Sequence, residues 1–134
     1  MPSGSFVHFF LCRKEDLKSF DTTDKMKRSL NHIEPVATSH KAGMKRVLLA
    51  ASESGCPITQ IAITDLCPGE VAAAHVHHDM QECFYIMSGE LDMVLDGKIE
   101  HCKAEDFVYV NCGISHELRA ISDVRVMTIG CELR

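Results

Sequence analysis

Gly69-Glu-Val-Ala-Ala-Ala-His75-Val-His77-His-Asp-Met-Gln-Glu82-Cys-Phe-Tyr-Ile-Met-Ser-Gly89 is the stretch on which the reading of this chain turns. His75 and His77 are separated by one valine. In an extended strand side chains repeat every two residues, so both imidazoles leave the same face with their backbones about 7 Å apart. Glu82 opens a second strand-like run, Glu82 to Met87, expected to fold back beside the first and bring a carboxylate to the two imidazoles. Two histidines and a carboxylate on one side of a metal leave other positions open for water or substrate. Phe84 and Ile86 share the parity of Glu82 and are expected to line the interior, while His78 points the other way, toward a rim.

A fourth candidate ligand, His116, lies downstream in Asn111-Cys-Gly-Ile-Ser-His116-Glu-Leu-Arg119, again at the start of an alternating run. Around these residues the chain divides into short β-like runs separated by turn chemistry. Val47 to Ala51, Ile58 to Leu66, Glu90 to Leu95, Lys98 to Cys102, Phe107 to Val110, Ser115 to Ile121 and Val124 to Gly130 read as strands. Pro68-Gly69 offers a type II turn. Asp96-Gly97 is the strongest hairpin signal, because a type I′ turn needs positive φ at both central residues. Strands at near-regular spacing without intervening helices predict an all-β sandwich or barrel.

The spacing Gly69, His75-x-His77, Glu82, Gly89 resembles the first signature of the cupin superfamily at every fixed position. The second cupin signature is matched less fully: of Glu105, Asn111, Gly113, His116 and Ala120, only Gly113 and His116 are the residues that family carries. The resemblance implies a jelly-roll barrel, the cupin double-stranded β-helix, and implies His75, His77, Glu82 and His116 as ligands of a divalent transition metal. Imidazoles and a carboxylate suit Fe, Mn, Zn, Ni or Cu without choosing among them.

The remainder of the chain sets the context. Its 134 residues, 46% hydrophobic and 25% charged, suit one barrel domain, read as residues 45–134, preceded by an N-terminal extension, residues 1–44, packing on the barrel or on a partner subunit. The extension is expected to hold a strand, Phe6 to Leu11, and one or two short helices between Lys14 and Asn31, with Lys25, Lys27 and Arg28 on a solvated helix face. Pro35 and Gly43 bracket an expected loop. A net charge of −5 argues against a nucleic-acid partner and an anionic membrane surface. The run Phe6 to Cys12 is too short for a membrane span or a signal-peptide core, and a cytoplasmic location is expected. Seven cysteines without a Cys-x-x-Cys pair read as reduced and packed; Cys112 lies nearest the expected site mouth. His8, His32, His40 and His101 read as structural residues. Phe107, Tyr109 and Met93 are further candidates for the cavity wall, and Arg119 and Arg125 for solvent-facing positions or an anionic substrate group.

Two functional classes lead, ahead of a purely structural barrel with a vestigial ion. One is a metal-dependent enzyme on a small polar substrate, dioxygenase-like or sugar-phosphate isomerase-like. The other is a non-catalytic metal-dependent binding or sensor module. A homodimer is expected, with Phe6 to Leu11 as its contact.

Overall fold

The computed structural model describes residues 25–133; the expected Phe6 to Leu11 strand and its dimer contact lie outside them. Ten strands follow one another: β1 (Val36–Ala37), β2 (Met44–Ala50), β3 (Ile58–Leu66), β4 (Val71–His75), β5 (Met80–Ser88), β6 (Glu90–Leu95), β7 (Lys98–Lys103), β8 (Phe107–Val110), β9 (His116–Ala120) and β10 (Val124–Glu132). They form a six-stranded sheet in the order β1-β2-β3-β10-β5-β8 and a four-stranded sheet in the order β4-β9-β6-β7. Every pairing is antiparallel. This is the expected all-β, double-stranded β-helix barrel.

Local turn chemistry sets the register. Asp96 and Gly97, at φ +46° and +81°, join β6 to β7 as the type I′ dipeptide the sequence predicts. In Cys67-Pro68-Gly69-Glu70 the Glu70 N–H donates to Cys67 O over 3.1 Å, with Gly69 at φ +82° in the position where a type II turn requires it. Between the sheets lie Leu66, Phe84, Ile86, Leu91, Met93, Val110, Leu118, Val124 and Val126. Ile86, Leu91 and Met93 are fully buried, each such side chain contributing about 1.5–3 kcal/mol relative to exposure.

Three expectations change. The run Glu82 to Met87 does not lie beside the first ligand strand: β5 pairs with β10 and β8, whereas β4 pairs with β9 in the opposite sheet. The polar step His78-Asp79 carries the chain across the sandwich, so the two runs face each other. The expected loop between Pro35 and Gly43 contains β1, which pairs with β2 through Val36↔Lys45 and Ala37↔Met44. Lys25, Lys27 and Arg28 are not on a helix; helical structure there is a 3-10 turn at Leu30–His32. Arg28 instead forks onto Glu53, with both contacts at 2.7 Å, and donates to Leu48 O. That guanidinium holds the Glu53 carboxyl down at about 2.

Candidate metal centre

The strand ends at one end of the barrel carry the site. His75 closes β4 and His116 opens β9, and the two are direct cross-strand partners, which places their rings 4.1 Å apart. His77 continues the extended chain just past β4. Its carbonyl accepts the Gly113 N–H over 2.7 Å, so the turn before β9 pins it. That turn is Asn111-Cys-Gly-Ile114, closed by Ile114 N–H to Asn111 O at 3.3 Å with Gly113 at φ +81°. Glu82 enters from β5 across the sandwich. Its parity is shared with Phe84 and Ile86, as alternation predicts, and all three are buried.

The ligand-capable atoms of His75, His77, Glu82 and His116 all lie within 4.8 Å of one another. His116, 1% exposed, and Glu82, 8% exposed, form the floor; His75 and His77 are half-buried and form the mouth. Hydrogen bonds decide which nitrogen faces inward. A carbonyl can only accept, so His75 Nδ1–H donates to Ala73 O at 2.8 Å and His116 Nδ1–H donates to Ile114 O at 3.0 Å. Each ring then keeps an Nε2 lone pair free, the outer-shell arrangement that orients ligating imidazoles.

His116 Nε2 and His77 Nε2 both approach the same oxygen, Glu82 Oε1, at 3.1 and 2.9 Å. A neutral His116 with its proton on Nδ1 would set a lone pair against a carboxylate oxygen. Such a contact is repulsive until a cation or a second proton lies between them. The titration directions agree. Burial alone would lower His116, but the Glu82 hydrogen bond, the Ile114 carbonyl and the Glu82 charge together raise it. Glu82 is raised by burial and brought below its ordinary value by the His116 hydrogen bond and the neighbouring imidazoles. His75 is lowered, chiefly by burial, which keeps its lone pair available. Three imidazoles and a carboxylate so arranged fit a divalent transition metal.

A cavity of about 260 Å³ opens beside this cluster, lined among others by His75, His77, Glu82 and Phe84. Sequence reasoning missed one member of its wall. His40 stacks on His75 with ring centroids 3.8 Å apart and 21° between planes, and burial lowers its pKa first among several causes. A tight turn delivers it: Lys41 N–H donates to Thr38 O, Thr38 Oγ donates to Ala42 O, and Lys41 and Gly43 take positive φ. The only sequence signal was Gly43, three residues on.

Other candidates fall elsewhere. His78 is exposed. Met93 is core, and Phe107 and Tyr109 are 62% and 50% exposed on the outside of the barrel rather than in the cavity. Arg119 pairs with Glu117, and Arg125 is held by Asp65. The six described cysteines are free thiols; Cys102 is buried and Cys112 half-buried. No helix among the described residues is long and apolar enough to cross a membrane.

A family model described as a cupin domain matches residues 62–130. Polyketide synthase CurC of Streptomyces cyaneus is 25% identical over 101 residues, spanning 75% of this chain and 66% of that protein. Among solved structures, a predicted oxalate decarboxylase of Thermotoga maritima is similar with a TM-score of 0.73 and 23% identity, over 81% of this chain and 100% of the other. Ectoine synthase of P. lautus is similar with a TM-score of 0.70 and 19% identity, over 81% and 78% of the two chains. At these identities the structural likeness is one of fold.

Proposed function

The chain belongs to the cupin domain family, and on that premise we propose that it is a metal-dependent enzyme acting on a small polar molecule in the barrel mouth, of dioxygenase or sugar-phosphate isomerase type. The observation that carries this is the convergence of His75, His77, Glu82 and His116 beside an open cavity. These four residues would hold the metal. A divalent ion so held supplies Lewis acidity toward substrate oxygens and open positions for a second reactant.

The chain's own residues do the rest. Ala73 O and Ile114 O fix the inward tautomers of His75 and His116. Phe84, Leu118 and Val126 give the cavity an apolar wall that excludes water and strengthens electrostatic contacts inside. His40, lowered by burial and so neutral near pH 7, presents an imidazole at the mouth that can accept a proton. The names of the similar proteins, a polyketide synthase, a predicted oxalate decarboxylase and an ectoine synthase, differ in reaction. The reading therefore rests on the site.

Elemental analysis of the purified protein, followed by oxygen uptake and sugar-phosphate turnover with the Fe- and Mn-loaded forms, tests it. Turnover abolished together with metal content in His77→Ala is the expected result. Tight ligand binding without turnover would replace the enzyme with a metal-dependent binding module, and absence of metal would overturn both.

We also infer that the chain forms a homodimer through the outer face of the six-stranded sheet. Two rows run across that face: Ile63, Met127, Tyr85 and Phe107, and then Ile61, Ile129, Cys83 and Tyr109. Both are apolar from strand to strand, and an apolar sheet face of this width asks for a cover. Uncharged from β3 to β8 along both rows, with Arg46 on β2 ending the first, it is suited to meet its own copy about a two-fold axis.

A further inference from the structure

The wall of the cavity away from the metal cluster has a chemistry of its own. Among the described residues, Lys45 and Glu82 are the only formally charged side chains lining the cavity. Glu82 is turned onto His77 and His116, so Lys45 has no acidic partner there. Its Nζ donates to a neutral group, Gln60 Oε1, over 3.1 Å. That contact fixes the orientation of the Gln60 amide and leaves the ammonium with further donors.

Beside them stands a second anomaly. Thr59 Oγ1 is buried and has no hydrogen-bond partner, alone among the buried side-chain polar atoms of the described residues. Thr59 also lines the cavity. It sits over Gly130, where a Cβ would collide with the hydroxyl. A buried hydroxyl left unpaired costs about 1–3 kcal/mol, which a ligand atom can offset.

We propose that the cavity takes a small carboxylate-bearing molecule whose carboxylate is received by Lys45 and Thr59, with its remaining oxygens turned toward the metal cluster. The proposal rests on the reading of the cluster as a metal centre and adds the class of substrate, a carboxylate in place of the sugar phosphate of the isomerase alternative. At about 260 Å³ the space lies just below the roughly 300–1,000 Å³ of sites for drug-sized ligands, so the molecule is small. One ammonium with neutral hydroxyl and amide neighbours balances a single negative charge. A phosphate group, nearly doubly charged near neutrality, would find neither an arginine fork nor a second cation among the lining residues. With a divalent ion on the three imidazoles and Glu82, the cavity would carry net positive charge inside a chain of net charge −5, which favours an anionic ligand there.

The test is calorimetric titration of the full-length metal-loaded protein with malonate and succinate, with malonamide and succinamide as neutral isosteres and inorganic phosphate as the other anion. Metal content is measured in every sample. The expected result is binding of a dicarboxylate at least roughly tenfold tighter than its diamide, and a loss of about tenfold or more in Lys45→Met, the range for a hydrogen bond to a charged group. Thr59→Val should weaken binding severalfold. Lys45→Arg, which keeps the charge, should retain it and so excludes misfolding as the cause. Equal affinity for acid and diamide, unchanged binding in Lys45→Met, phosphate binding tighter than either dicarboxylate, or no binding of any probe would each overturn the proposal. If Lys45-dependent carboxylate binding persists in protein that takes up no metal, the metal-centre reading fails and the carboxylate site stands.

Discussion

The two sheets of the barrel share a core but present opposite outer faces. On the four-stranded sheet, Asp92 lies between His101 and Arg119, and Val94 between Ile99 and Glu117. His101 bonds Asp92 at 2.9 Å and Arg119 bonds Glu117 at 2.7 Å. On the six-stranded sheet the corresponding rows are apolar, with Tyr85 38%, Met87 42%, Phe107 62% and Tyr109 50% exposed. An antiparallel sheet with one wet face alternates polar and apolar residues, and β6 and β9 do so. β3, β5, β8 and β10 are largely apolar at both parities. The difference teaches that the six-stranded sheet carries apolar side chains on both of its faces, and that the site, which takes Glu82 from it and His75 and His116 from the other, spans an apolar wall and a solvated one.

The sharpest way to break that comparison is to charge the apolar face. Tyr85→Glu with Phe107→Glu is expected to abolish self-association, since central aromatic anchors carry about 2 kcal/mol or more each at such contacts. Asp92→Ala with Glu117→Ala on the other face should leave it unchanged. Analytical ultracentrifugation over a concentration series decides. A monomeric wild type would remove the dimer and leave another partner, or the chain's own first residues, as the cover.

Next in size is the junction where the chain passes from one sheet to the other. Gly89 links β5 to β6 at φ +83°, and a Cβ there would collide with the Asp123 carbonyl oxygen. Gly97, in the β6-β7 hairpin of the solvated sheet, has the same sign of φ, +81°, with nothing near a Cβ. Gly89→Ala should therefore cost on the order of 3 kcal/mol or more, combining left-handed strain with a backbone clash, and Gly97→Ala only about 1–2 kcal/mol. Urea unfolding midpoints read both, and equal losses would remove the clash from the account.

How far the sequence carried the structure follows the same division. The Asp96-Gly97 hairpin and the Pro68-Gly69 turn were legible because two residues determine them. The convergence of His75, His77, Glu82 and His116 was legible through the resemblance and strand parity. That Glu82 arrives from the facing sheet was not, since the crossing at His78-Asp79 depends on which strand β5 finds as a partner. His40 was hidden for a similar reason. A lone histidine in a loop says nothing of the ring it will stack on until the Thr38–Gly43 turn is folded. The Arg28–Glu53 fork joins residues too far apart in sequence for periodicity to report, and Arg28 with Lys25 and Lys27 read instead as a solvated helix face.

Titration sharpens the comparison further. On the apolar sheet Asp65 is gripped by Arg125, through contacts of 2.8 and 3.0 Å, and by Arg46 at 3.2 Å. The Arg125 hydrogen bond lowers the Asp65 pKa against the opposing effect of burial, assisted by the charges of Arg125 and Arg46. A depressed carboxyl contributes stability above its unfolded pKa, about 3.9, and loses it as pH falls through the folded value. On the solvated sheet the sign is reversed. The Asp92 hydrogen bond raises His101, so its contribution is present below about pH 6.5, the unfolded value, and is lost as pH rises through the raised one. Asp65→Asn should thus cost stability at pH 7, on the order of 1 kcal/mol or less for a part-exposed pair, with the deficit shrinking toward pH 3. Asp92→Asn should cost stability below the raised His101 value and not above it. Parallel urea titrations at pH 3, 5.5 and 8 check both, and a deficit for Asp65→Asn that is independent of pH would show that packing, not charge, is what the substitution removes.

The smallest effect expected is a gain. The turn Lys103-Ala104-Glu105-Asp106 leads from the solvated sheet back to the apolar one, and Glu105 holds φ +75° there, a left-handed conformation in which side chains are strained. Its N–H donates to Ile86 O at 2.7 Å and Asp106 N–H to Lys103 O at 3.0 Å, so the conformation is imposed by the ladder that seats β5. Glycine, lacking a Cβ, takes such a conformation without that strain. Glu105→Gly relieves about 1–2 kcal/mol of strain and returns part of it as unfolded-chain entropy, for a net gain of roughly 0.5 kcal/mol. The matched substitution Ala104→Gly, at the neighbouring position where φ is not positive, should instead lose stability. A loss in Glu105→Gly as large as that in Ala104→Gly would mean that the Glu105 side chain contributes more than its backbone costs.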